Sequence, residues 1–205
     1  MKEKNCWVAI PEVNRSENNY DVSFTTQKDI FYYRELGVRE LVTILKDAHA
    51  QFENKAVPEI LQLLHACHKN FPDYQMISSK MILAFQSFFQ DLVQHFKEEE
   101  NGFFSYALEL NQTIDQQFIK GAFLSGDKAK SEVYSDNHAI IWEDFNNLQK
   151  LIRLYKEMIG PDLSVNMIEI KLHSLKKELE LHDSIESQVL VIKVLFLEKS
   201  LKKMI

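Results

Sequence analysis

Residues 95–99 read HFKEE and residues 182–186 read HDSIE, so each segment has a histidine followed four residues later by a glutamate. A third pair with this spacing is His49 and Glu53. On an α-helix, a four-residue step places two side chains on one face, about 5–6 Å apart, where both can contact one metal site. Three of the seven histidines have a glutamate at this distance, more than the glutamate content predicts by chance. The segments therefore predict helices that carry metal ligands.

The composition of the 205 residues favours long helices over a β-fold. Only 5 glycines and 4 prolines interrupt a chain with 45% hydrophobic residues, whereas a sandwich or barrel needs many tight turns. The net charge is −6, and no segment clusters Lys and Arg as phosphate binding requires, so we expect no nucleic-acid partner. Two cysteines cannot form a disulfide framework, and no apolar run has the length of a signal peptide or membrane span. These features predict a cytoplasmic protein that does not insert into membranes.

Hydrophobic periodicity divides the chain into an N-terminal arm and a helical domain. Residues 1–33 mix polar and aromatic residues without a sustained helical period, and we predict an arm or strap there. Residues 34–205 form the second unit. Within it, apolar residues at three- and four-residue steps predict four helices at about 36–70, 74–108, 129–158 and 164–203. The stretch between the second and third helices, which contains Gly121 and Ser125-Gly126-Asp127, is ambiguous. Four long helices predict an all-α, up-down four-helix bundle.

Local signals refine three of these helices. Pro58 should kink or restart the first helix, and Gly160 with Pro161 should end the third. Ser164 is the expected N-cap of the last helix. The inward stripe of that helix is predicted to hold His182 and eight apolar residues: Met167, Ile170, Leu175, Leu179, Ile185, Val189, Ile192 and Phe196.

One histidine on each predicted helix is a candidate metal ligand: His49, His95, His138 and His182. The second and fourth helices add Glu99 and Glu186, one turn further on. Up-down packing would place the four imidazoles and two carboxylates at one level of the core. Burying a carboxylate without a partner costs on the order of several kcal/mol. Two bound metal ions would remove this cost because they supply the missing positive charge. Histidine and carboxylate ligands suit iron, with manganese or zinc as substitutes.

Two further residues are candidates for the surroundings of the metals. Glu53 lies one turn after His49, either as an additional carboxylate near the metals or as a solvated residue at the rim. Trp142 lies one turn after His138, and it could form an apolar wall beside the metals or pack in the core.

Helical phase assigns the remaining charged residues near the site to the surface. In the run of residues 97–100, only Glu99 has an inward phase, so Glu98 and Glu100 should be solvated. His65 and His173 are likewise expected at the surface or the rim. His68 should stabilise the end of the first helix or the turn before Pro72, because it lies about 28 Å from His49 along a continuous helix at 1.5 Å per residue.

The segments around these residues resemble the hemerythrin-like, or HHE cation-binding, domain family. Residues 95–104, HFKEEENGFF, are similar to the family run HxxKEExxLFP, and residues 182–190, HDSIESQVL, to its run HxxLENxVLFP. Residues 47–60 resemble the family's first-helix pattern, an aromatic-flanked histidine followed about nine residues later by Pro-Glu. Residues 68–72 are similar to its HGxHP turn. Both glutamate segments lack the family's Leu-Phe-Pro, and the paired cysteines of many repair proteins are not found in this sequence. The resemblance covers residues 36–195 and is closest to di-iron proteins of iron–sulfur cluster repair.

This resemblance implies two iron ions joined by carboxylate and by an oxo or hydroxo bridge. Its terminal ligands would be His49, His95, His138 and His182, and its bridging ligands Glu99 and Glu186. The implied function is nitric oxide or oxidative stress response, or iron–sulfur cluster repair. The alternative is a non-enzymatic sensor or binding module for oxygen, nitric oxide or iron. Whether the chain is an enzyme stays open, and a protein partner or a homodimer is compatible with either function. A metal-free structural bundle is a third class.

Overall fold

The computed structural model describes residues 30–115 and 138–203, and these residues are almost entirely helical, with no strand among them. The all-helical class is therefore confirmed. Most of the predicted arm, up to residue 29, lies outside the described residues, as do residues 129–137 of the predicted third helix. Residues 30–35 form a short helical segment in which Ile30 is buried.

The first half of the described chain forms two long helical stretches. The first consists of α1 (Val38–Gln51), the π-helical segment π1 (Phe52–Ala56) and α2 (Val57–Asn70). The second consists of a short 3₁₀ turn (Pro72–Tyr74), α3 (Gln75–Glu98), the π-helical segment π2 (Glu99–Phe104) and α4 (Ser105–Asp115). Pro58 is the second residue of α2, so the predicted restart of the helix follows directly after π1.

The second half contributes two more stretches. The third stretch is α5 (His138–Ile159), and the fourth consists of α6 (Leu163–Ile185), the π-helical segment π3 (Glu186–Leu190) and α7 (Val191–Lys203). Gly160 ends α5 with φ 78°, a left-handed conformation that glycine adopts without steric cost. The stop predicted at this glycine is confirmed.

Two apolar core clusters lie on either side of the π segments. The lower core is formed by buried side chains of α2, α3, α5 and α6, together with Phe52. The upper core is formed by residues of α1, π2, α4, π3 and α7, together with Ile30 and Ile185. In the lower part α3 packs against α2 and α5, and α6 packs against α2. In the upper part α4 packs against α1 and α7. The described helices thus pack as a bundle, with the π segments at the junction of its two cores.

The predicted inward stripe of the last helix is wrong at four positions. Met167, Ile170, Ile192 and Phe196 are 36%, 60%, 57% and 70% exposed. In α6 the buried stripe starts at Val165, Ile168 and Leu172 and reaches Leu175 by three- and four-residue steps, whereas the predicted stripe needed a five-residue step from Ile170 to Leu175. Ile192 lies seven residues after the buried Ile185, but π3 inserts a wider turn between them and rotates the inward face away from Ile192.

The predicted cap of the last helix is also wrong. Asp162, not Ser164, is the N-cap residue of α6, and its side chain accepts hydrogen bonds from the backbone N–H groups of Ser164 (2.8 Å) and Val165 (3.2 Å). The helix begins at Leu163, one residue earlier than the sequence suggested. A short acidic side chain just before that residue therefore satisfies two of the free amide groups at the helix start.

We expect Asp162→Ala to lower the free energy of unfolding by about 1 kcal/mol, because the loss of an N-cap side chain leaves two amide donors without their acceptor. Ser164→Ala is the matched control, since it keeps the backbone N–H that the cap contacts and should change stability less. Urea unfolding followed by circular dichroism measures both. A larger loss for Ser164→Ala than for Asp162→Ala would contradict the capping assignment.

Candidate metal site

His49 is held in a fixed orientation at the C-terminal end of α1. The residue is 2% exposed, and its imidazole stacks on Phe96 with ring centroids 3.8 Å apart and planes 9° apart. Phe104 lies nearly parallel to the same ring, at 5.6 Å and 17°. These aromatic contacts restrict tilting of the imidazole, so its two nitrogens keep defined directions.

The carboxylate of Glu99 lies between two histidines. Its oxygen Oε2 is 3.0 Å from Nε2 of His49, and its oxygen Oε1 is 2.6 Å from Nε2 of His95. Glu99 is 0% exposed, whereas the His95 side chain is 11% exposed. The two oxygens of this buried carboxylate therefore face two imidazoles. His49 belongs to the first helical stretch and His95 to the second.

His182 completes a compact group of nitrogen and oxygen atoms. Its Nε2 lies 2.7 Å from Nε2 of His49, and the ligand atoms of His49, Glu99 and His182 all lie within 4.8 Å of one another. Two ligands at right angles on one metal ion, each at about 2.1 Å, are about 3 Å apart. The three buried side chains thus form a group that could hold a metal ion.

Glu186 brings a second carboxylate to this part of the core. It is the first residue of π3, one turn after His182, and it is 1% exposed. Removing a carboxylate from water costs on the order of several kcal/mol, and attraction to a positively charged partner must offset this cost. In this site the positive partner would be a protonated histidine or a bound metal ion.

The three π segments lie next to site residues. The segments π2 and π3 begin at Glu99 and Glu186, and π1 begins three residues after His49. A π turn contains more residues than an α turn, which changes the side chains that face inward, and such turns are frequent at functional sites. Here they bring polar side chains into the junction between the lower and upper cores.

Glu100 is partly exposed, at 34%, but it also contacts the site, which the prediction of a solvated side chain did not include. His49 Nδ1 lies 2.9 Å from Glu100 Oε1, and Lys46 Nζ lies 3.6 Å from the other oxygen, Oε2. The π2 backbone changes the angle between successive side chains, so both Glu99 and Glu100 contact the imidazole of His49. Glu98 is exposed, as predicted, and accepts a hydrogen bond from Gln94. In the sequence, the run of three glutamates at residues 98–100 was the single sign that a second carboxylate could reach His49.

The third predicted helix begins close to this group. His138 is the first residue of α5, and its side chain lies outside the described residues. Trp142, one turn later, is half-buried and lines a cavity of about 20 Å³ together with His95 and His182. The indole also packs against the lower core and contacts Phe145, so its position agrees with both alternatives, core packing and an apolar wall. The coordination of a metal by His138 stays a prediction.

The other predicted residues lie further from the group or at its edge. Glu53 is a partly exposed residue of π1, and its contribution to a metal site stays a prediction. His68 Nδ1 lies 2.9 Å from Ser78 Oγ, so this histidine connects the end of α2 to α3 across the turn before and at Pro72. His65 and His173 are exposed, as expected.

Burial shifts the pKa of two groups in the lower core. It raises the pKa of the Cys67 thiol to about 11, and it raises the pKa of Tyr155 to about 12. The Tyr155 hydroxyl donates a hydrogen bond to the carbonyl oxygen of Cys67. Because the thiolate is the reactive form, Cys67 is a packing residue of the core rather than a nucleophile.

Comparison with known proteins finds no match among protein-family models, curated proteins or solved structures. Within the described parts of the chain, each helix is too short or too polar to cross a bilayer. The hemerythrin-like assignment therefore stays a prediction from the sequence.

Proposed function

We propose that this protein is a non-haem di-iron protein whose chain forms an up-down four-helix bundle of the hemerythrin type. Its terminal ligands are His49, His95, His138 and His182, and its bridging ligands are Glu99 and Glu186. The observation that carries the proposal is the position of Glu99, which directs one oxygen to His49 and the other to His95. A carboxylate in this position can bind two ions at once.

The arrangement of the histidines supports two ions rather than one. His49 Nε2 lies at one oxygen of Glu99 and has His182 Nε2 2.7 Å away, whereas His95 Nε2 lies at the other oxygen. A bridging carboxylate suits paired ions about 3.5–4 Å apart. Two ions would also supply positive charge beside both buried carboxylates, Glu99 and Glu186.

The surroundings of the group support a small ligand. The cavity beside His95 and His182 has a volume of about 20 Å³, and a space of about 10–15 Å³ already holds one water molecule. Its lining is mainly apolar, with Leu92, Phe96 and Trp142 among its residues. A diatomic molecule suits a space of this size. A bound iron pair would supply binding of oxygen or nitric oxide, and the chain would hold the ligands and exclude bulk water.

The proposed role is in the response to nitric oxide or oxidative stress, or in iron–sulfur cluster repair. The second candidate is a non-enzymatic sensor or binding module for oxygen, nitric oxide or iron. Its support is the burial of the group, because His49, Glu99 and His182 are at most 5% exposed. Such enclosure suits reversible binding of a diatomic ligand at least as well as transfer of iron to another protein.

Metal analysis of the full chain tests this proposal. The protein is expressed in iron-replete cells and purified without oxygen, and iron per chain is measured together with the optical spectrum. We expect two irons per chain. A chain that retains no metal, or that retains a single zinc ion and takes up no iron, would contradict the di-iron proposal and favour the metal-free bundle.

Nitric oxide titration separates the two candidate functions. Under anaerobic conditions, consumption of many equivalents of nitric oxide with release of a product supports an enzyme. Binding that ends at one or two equivalents without product supports the sensor or binding module.

A further inference from the structure

We propose that Glu100 is a positioning residue of the metal site, which orients the ring of His49 so that Nδ1 faces Glu100 and Nε2 faces Glu99 and His182. This inference rests on the proposed metal-binding function, and it adds a residue that helical phase places at the surface. Its basis is the contact between Glu100 Oε1 and His49 Nδ1, at 2.9 Å.

The chemistry of the two groups determines how the ring faces the site. A carboxylate is a hydrogen-bond acceptor only, so Nδ1 of His49 must be the donor in the contact with Glu100. The same rule applies to the Glu99 carboxylate, 3.0 Å from Nε2, so without a metal ion both nitrogens face acceptors. A metal ion bound here would take the place of the proton on Nε2, which also lies 2.7 Å from His182 Nε2, and would leave Nδ1–H donating to Glu100.

The orientation of the ring depends on the same contact. Stacking on Phe96 fixes the plane of the imidazole, but a half-turn of the ring about its Cβ–Cγ bond would keep that plane and exchange Nδ1 with Cδ2 and Nε2 with Cε1. The hydrogen bond to Glu100 favours one of these two orientations. A histidine that binds a metal commonly donates its other N–H to a carboxylate, and loss of that carboxylate typically weakens metal binding by about 10–100-fold.

Two neighbours hold Glu100 in place. Lys46, one turn before His49 on α1, lies 3.6 Å from Oε2 and leaves Oε1 to the histidine. The Ser105 hydroxyl donates a hydrogen bond to the backbone carbonyl of Glu100 at 2.7 Å, within the π2 turn. The side chain of Glu100 is 34% exposed, so it connects the buried histidine with the protein surface.

Iron binding to variants of the full chain tests the effect on affinity. Fe²⁺ is titrated without oxygen into the wild type, Glu100→Ala, Glu100→Gln and the control Glu98→Ala. We expect Glu100→Ala to weaken Fe²⁺ binding about 10–100-fold. Glu100→Gln should lose less, because its amide oxygen can still accept from Nδ1, and Glu98→Ala should stay within about twofold of the wild type. Equal effects of Glu98→Ala and Glu100→Ala would overturn the positioning role.

The nitrogen by which His49 binds a metal is a readout that a merely structural role would not change. Nitrogen NMR of the protein loaded with diamagnetic Zn²⁺ distinguishes a metal-bound Nε2 from a metal-bound Nδ1. We expect metal on Nε2 and a protonated Nδ1 in the wild type and in Glu98→Ala, and a mixture of ring orientations in Glu100→Ala. Metal bound through Nδ1 in the wild type would overturn this inference. A wild type that binds Zn²⁺ through Nε2 but takes up no Fe²⁺ would overturn the di-iron function and leave the positioning role standing.

Discussion

Glu99→Ala will reduce bound iron from two ions per chain to nearly none. The carboxylate lies within 3.0 Å of His49 and 2.6 Å of His95, so its removal takes a shared ligand from both proposed ions at once. Metal-dependent stability should disappear with it. A ligand at 1,000 times its Kd stabilises the folded state by about 4 kcal/mol. Iron analysis and thermal unfolding with and without Fe²⁺ measure the two effects.

Glu98→Ala is the matched control for this prediction. Glu98 is the preceding residue, is exposed, and accepts a hydrogen bond from Gln94 on the same helix. The control should keep both irons and the metal-dependent rise in melting temperature. Two irons bound to Glu99→Ala, or equal iron loss in both variants, would show that Glu99 is not a bridging ligand.

The sequence predicted the helices well because their apolar residues recur at three- and four-residue steps over long distances. Gly160 marked the end of α5 because it adopts a backbone conformation, φ 78°, that favours glycine. Spacing also placed His95 and Glu99 on one face, and the structure brings Glu99 to His49 and His182, with His95 at its other oxygen. Spacing within one helix does not show which helices meet. Only the assumption of bundle packing placed the candidate ligands of different helices at one level of the core.

The π segments could not be predicted from the sequence. A pattern read with 3.6 residues per turn accumulates an error at each wider turn, and π2 and π3 begin at Glu99 and Glu186 themselves. For this reason the phase failed just after the ligands. It assigned Glu100 to solvent and Ile192 to the core, whereas Glu100 contacts His49 and Ile192 is 57% exposed. The π turns that bring polar groups into the site also interrupt the 3.6-residue period on which the prediction was based.

The position of the site between two apolar cores has a consequence for its chemistry. Phe96 belongs to the lower core and Phe104 to the upper core, and both contact the ring of His49. The packing of either core therefore affects the orientation of a candidate ligand. Burial in such surroundings strengthens electrostatic interactions within the group, because little water is present to screen them.

His138→Ala will keep the helical fold but lose one of the two irons. His138 begins α5, and this helix packs against α3, which carries His95. One turn further on, Trp142 lines a cavity with His95 and His182, so the first turn of α5 lies beside the site. A single histidine from this turn would complete the ligands of one ion, and its loss should leave the other ion bound. Iron per chain and far-ultraviolet circular dichroism measure stoichiometry and fold.

His173→Ala is the control for this variant, because His173 is an exposed residue of α6 and should have no part in metal binding. It should keep both irons and the optical spectrum of the wild type. If His138→Ala also binds two irons with an unchanged spectrum, α5 supplies no ligand. The three remaining histidines and two glutamates would then have to hold both ions, and the hemerythrin-like di-iron proposal, which needs a ligand from each of four helices, would have to be given up.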